Sequence, residues 1–144
     1  MTGYEILWPM VAHAVLVYML YGLLGLRRRA MVRTGKAKPL QFRENRDEPA
    51  ESLVVRNCIA NQFEIPVLFH ACCTALFVTE ADNLAATVLA WVFVASRYAH
   101  AYVHVTSNDL RYRGPLFAFG FVALGGMWAW LATWIFFSGA LWLR

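Results

Sequence analysis

Two short runs in this chain carry residue types that could do chemistry, at spacings that bring them together. Asn57, Asn61 and Glu64 recur at i, i+4 and i+7. Arg97, His100 and His104 recur at i, i+3 and i+7. On a continuous helix each set shares one face. Arg28 and Arg29 close another apolar run, and Arg111 and Arg113 lead into a further one. The inventory is one carboxylate, several guanidiniums, amides and two imidazoles. Arginines grip carboxylates bidentately. A carboxylate takes an ammonium or amide donor. Such a set suits a ligand that is net anionic yet also carries a cation or donor. An arginine beside a thiol would favour thiolate, and lowering a thiol pKa by about two units takes roughly 2.7 kcal/mol of differential stabilisation.

The elements that must position these groups are membrane helices. Of 144 residues, 60% are hydrophobic and 15% charged, against about 45–50% and 25% in a soluble domain. The excess lies in long runs, which implies an all-α integral membrane protein of a single domain over residues 1–144. Spans are expected at about 6–26, 59–78, 84–105 and 116–137. The second is expected on a helix starting near Ser52 and running unbroken through Glu64. The first span has no basic leader and ends in Arg27-Arg28-Arg29, so it reads as an uncleaved span with a basic stop. Loops 27–56 and 106–115 hold eleven of the 13 Lys and Arg residues, including Arg46, and the turn Thr79–Asn83 holds none. The positive-inside rule then makes both loops cytoplasmic and puts both termini on the far side. Trp8, Trp128, Trp130, Trp134 and Trp142 suit interfacial anchoring, with Trp130 deeper. Alanines at four-residue spacing (Ala71 and Ala75, Ala86 and Ala90, Ala95 and Ala99) suit close helix approach. The net charge of +4 sits beside a span, where headgroups and topology account for it, so nucleic acid is not implied.

With this topology the polar groups of four segments meet in one layer at the cytoplasmic boundary. A carboxylate at bilayer depth costs roughly 2.5–3.5 kcal/mol, so Glu64 needs a partner. Blander assignments stand beside the ligand site. Glu64 and Arg97 could form only a register-fixing ion pair, Arg27–Arg29 only a topology signal, and Arg111 and Arg113 only headgroup contacts. His100 and His104 with Glu64 could make a two-histidine, one-carboxylate metal set, but the arginines oppose a cation and no metal is assigned. His13 and His70 lie off both faces and read as packing or interface residues. Cys58, Cys72 and Cys73 read as buried thiols without zinc or disulfide spacing. Among anionic ligands glutathione fits, with two carboxylates, one ammonium and a thiol. Its partner would be an apolar electrophile or hydroperoxide from the lipid.

Asn57-x-x-x-Asn61-x-x-Glu64 with a following proline, then Arg97-x-x-His100-x-x-x-His104, resembles the MAPEG family of membrane-associated proteins in eicosanoid and glutathione metabolism. Asn-Gln-Phe-Glu-x-Pro-Val-Leu-Phe and His104-Val105-Thr106-Ser107-Asn108 resemble its bacterial branch. The resemblance implies a homotrimer of four-helix subunits, in a bacterial inner membrane, binding glutathione between neighbours near the cytosolic face. It implies that Asn61, Glu64, Arg97 and Arg28 or Arg29 hold the tripeptide, with Asn57 and His100 beside them. Arg111 or Arg113 would activate the thiol. The family's thiol-contacting tyrosine falls at His104, where an imidazole can donate to sulfur or move a proton. The activity implied is glutathione transfer or peroxidase chemistry on a lipophilic substrate. The alternative is a non-catalytic protein on the same scaffold, binding a lipid or a partner protein.

Overall fold

A computed structural model describes residues 4–44 and 47–141, with side chains through Ser138. Arg46 and Trp142 lie outside the described residues. Every regular element described is helical: α1 Leu7–Arg33, α2 Pro39–Glu44, α3 Ala50–Ala60, α4 Ile65–Val78, α5 Leu84–Val105 and α6 Leu110–Leu141. Three helices are long and apolar enough to cross a membrane: α1, α5 and Leu110–Ser138 of α6. The chain is an all-helical integral membrane protein.

The boundaries follow local chemistry. The first apolar run continues as helix through the arginines to Arg33, rather than ending at Leu26. Gly35 then takes a φ of 72°, and the Lys36 amide donates to the Met31 carbonyl at 3.0 Å, closing the helix end. Asn83 caps α5, its side chain accepting from the Ala86 amide at 2.8 Å. α6 starts at Leu110 and carries Pro115 within it, six residues earlier than the apolar run suggests.

The main departure is the second span. It is two helices, α3 of 11 and α4 of 14 residues, separated at 61–64. Proline removes an amide donor and crowds the carbonyl four residues back. For Pro66 that carbonyl belongs to Gln62, inside the break. The freed backbone groups find partners nearby. The Gln62 side chain folds back, its amide nitrogen donating to the Cys58 carbonyl at 2.9 Å. Arg97 of α5 donates to the Asn61 carbonyl at 3.0 Å. Non-helical backbone at membrane depth is tolerated where protein satisfies it.

The core joins α4, α5 and α6. Phe69 and Phe93 stack at 4.4 Å, with Leu76, Ala90, Val94 and Met127 buried around them. Of the spaced alanines, Ala86 and Ala90 are buried in this core, while Ala71 and Ala95 are exposed. α6 comes close to α5 at Gly120, where an added Cβ would collide with Ser96 Oγ. Trp130 and Trp134 donate to the Ala81 and Thr79 carbonyls at 2.8 and 3.2 Å. They tie α6 to the α4–α5 turn, which adds a tethering contact to the anchoring expected of them. A second cluster packs Leu16, Leu20 and Leu24 of α1 against Val55, Cys58 and Ile59 of α3 and Ala101 of α5. All three cysteines are buried and unbonded.

Candidate functional site

Where α3, α5 and the start of α6 meet, a polar cavity of about 410 Å³ opens, lined in part by Asn57, Asn61, His104, Asn108 and Arg113. That volume lies within the roughly 300–1,000 Å³ of small-ligand sites. Three elements build it. Asn57 and Asn61 are one turn apart at the end of α3. His104 stands in the last turn of α5. Asn108 takes a left-handed φ of 52°, which asparagine accommodates. Its amide reaches back to the Val103 carbonyl at 2.7 Å, and its side-chain oxygen accepts from Arg113.

The Asn61 amide nitrogen lies 3.5 Å from Nδ1 of His104. With Nδ1 accepting, a neutral His104 carries its proton on Nε2 as a donor. The lining residues thus offer amides, an imidazole and the Arg113 guanidinium, with no carboxylate among them. The arrangement suits an anion or an incipient thiolate. Of the two arginines leading into α6, Arg113 faces this cavity; Arg111 is exposed and does not line it.

The other expected residues are distributed differently. Arg97 is 2% exposed and sits behind the cavity. It donates through Nε and Nη2 to Gln62 Oε1, both at 3.4 Å, as well as to Asn61, and lies over the Phe117 ring at 5.6 Å. Glu64 is exposed at the start of α4, and among the described residues no ion pair within 4.0 Å joins it to Arg97. The expected single face of Asn57, Asn61 and Glu64 is therefore divided: the break turns Glu64 away from the cavity that the asparagines line. His100 is buried beside His104 and Phe117, and its Nδ1 has no hydrogen-bond partner among the described residues. Among those residues no group of three or more His, Cys, Asp or Glu could hold a metal ion.

Arg28 binds Glu48, with Nη2 at 2.8 Å from Oε1. Arg56 approaches the other carboxylate oxygen at 2.9 Å. Arg27 donates to the carbonyls of Glu51 and Val105 at 2.8 and 2.7 Å. Arg29 is exposed. The basic stop thus fastens the first loop and the end of α5 to α1. Glu48 and Gln62 are the residues that spacing missed. Glu48 lies in irregular chain with no period to flag it. Gln62 falls beside Asn61 but off the period that Asn57, Asn61 and Glu64 share.

The fold and this cavity define a membrane protein with a polar site built from three helix ends. The model of the MAPEG family matches residues 6–133. The chain belongs to the MAPEG family. No curated protein and no solved structure matches it.

Proposed function

We propose that this protein binds glutathione and uses it as co-substrate in transferase or peroxidase chemistry on lipophilic electrophiles at the cytoplasmic membrane face. The observation that carries this reading is the polar cavity that gathers Asn57, Asn61, His104 and Arg113 from three elements. Arg113, held by Asn108, would lie against the sulfur and favour thiolate; His104 would donate to it or accept its proton. The thiolate would attack the electrophilic carbon, forming a C–S bond and expelling a leaving group or leaving a carbanion to be protonated. With a hydroperoxide it would attack oxygen, giving a sulfenic acid and an alcohol. A second thiol would then reduce the sulfenic acid to a disulfide and water.

Glu64 supports an assembled site. It is exposed on the single chain, and among the described residues no ion pair within 4.0 Å engages it. In a homotrimer of subunits that each span the membrane four times, with α3 and α4 as one broken span, Glu64 would take the ammonium or an amide of glutathione at the boundary with a neighbour. Arg28, Arg29, Arg97, His100 and Arg111 of the expected set then have supporting rather than contacting roles. A bacterial inner membrane, with both termini periplasmic, agrees with the branch-like motifs and with the basic loops.

Calorimetry of purified protein with glutathione, together with thiolate ultraviolet absorbance, tests this. Binding should be measurable in wild type. Arg113→Leu should keep the fold and lose the thiolate signal, and Glu64→Gln should weaken binding about tenfold, as loss of a charged hydrogen bond does. Absence of glutathione binding would remove the reading. The burial of Arg97 in structural bonds favours a second reading, a non-catalytic scaffold that binds a lipid or partner protein. Under it, Arg97→Leu disrupts assembly while no variant alters turnover, because there is none.

A further inference from the structure

Away from the polar cavity, a groove of about 490 Å³ opens between α1 and the start of α4. Val17, Tyr18, Phe63 and Val67 give it apolar walls, and His13, His70 and Gln62 form its polar end. His13 lies 14 residues before Arg27 on α1, about 21 Å along the axis, so this polar end is deep in the span. Buried polar groups at such depth are costly and need an explanation.

Their hydrogen bonds have a fixed direction. Gln62 donates through its amide nitrogen to Cys58, and its Oε1 faces Arg97, a pure donor. The amide orientation is thereby set. His13 Nε2, 3.3 Å from the same oxygen, must donate to it. The neutral His13 ring then accepts at Nδ1, so His70 Nε2, 3.1 Å away, must donate. Neutral His70, whose side chain lines the groove, is left with Nδ1 as a lone-pair acceptor that no hydrogen bond among the described residues uses. The chain starts at the Arg97 cation and ends on an acceptor beside an apolar channel.

We infer that this groove binds a long apolar molecule ending in a hydroxyl, whose O–H donates to Nδ1 of His70. The groove walls match the hydrocarbon body, and the fixed polarity of the chain selects a donor over an acceptor. Long-chain lipid alcohols belong to this class. The inference stands apart from the glutathione site and survives if that reading fails.

The test uses radiolabelled dodecanol and its methyl ether, which lacks the donor, with the full protein in phospholipid nanodiscs and empty discs subtracted. Wild type should retain dodecanol about five- to tenfold more than the ether. His70→Phe should bring dodecanol down to the level of the ether. His70→Gln, whose side-chain oxygen accepts, should restore the preference. Val67→Trp, at an exposed position on the groove wall, should reduce retention of both and serves if His70→Phe does not fold. Equal retention of the two probes by wild type would overturn the inference. So would a preference that survives His70→Phe, or an experimental structure of the assembled protein with a neighbouring subunit's helix in the groove.

Discussion

Gln62 has more hydrogen-bonding consequence than any of the charged residues the spacing draws attention to. One side chain caps the end of α3, satisfies Arg97 and receives His13. Replacing it with leucine leaves a buried guanidinium nitrogen, an imidazole N–H and a backbone carbonyl without their partner. Each unsatisfied buried group costs about 1–3 kcal/mol. Gln62→Leu should therefore destabilise the protein by about 3 kcal/mol or more, read as a fall in thermal midpoint in detergent. Asn57→Ala, on an exposed position, should change stability by less than about 0.5 kcal/mol. At this scale the sequence was half legible. Arg97, His100 and His104 do share the packed side of α5, all three buried, because a 3.6-residue period survives in any unbroken helix. The side chain that holds Arg97, Gln62, is not picked out by spacing, since a neutral amide carries no charge to mark it.

Among the elements, the error in reading the second span came from giving its apolar character more weight than its proline. Hydropathy reports that a segment tolerates lipid; it does not report that its hydrogen bonds run on continuously. Pro66 marked the break, and the polar residues from Asn61 to Glu64 occupy it. The α5–α6 contact was equally hidden, because an isolated glycine does not name what it faces. Gly120 meets Ser96, whose hydroxyl donates to the Phe93 carbonyl at 2.6 Å. Gly120→Ala should push that hydroxyl out of place and cost about 1–3 kcal/mol, as overpacking does. Pairing it with Ser96→Ala should recover most of the loss, since the nearest remaining atoms, Ser96 Cβ and a Phe93 ring carbon, lie at 3.4 and 3.7 Å. A double-mutant cycle on thermal stability measures the coupling.

For the whole molecule, what composition establishes is the solvent: a chain of long apolar runs lives in lipid, and every regular element described is helical. Which side its loops face rests on charge alone. Single cysteines at Asp82 and Ser107, on opposite ends of α5, should label with an impermeant reagent from opposite sides of an intact membrane. On the proposed topology Asp82→Cys reacts from outside the cell and Ser107→Cys only after permeabilisation.

The short α4 leaves an uneven outline. At 14 residues it is about 21 Å long, while the hydrocarbon core is about 30 Å thick. α1, at 27 residues, exceeds that thickness. α4 alone therefore falls short, and α3 completes the crossing, which puts the break at 61–64 inside the hydrocarbon layer. The crossing is two short rods with a joint between them, and its path through the bilayer is set by the side chains that hold Asn61 and Gln62 rather than by one helix axis.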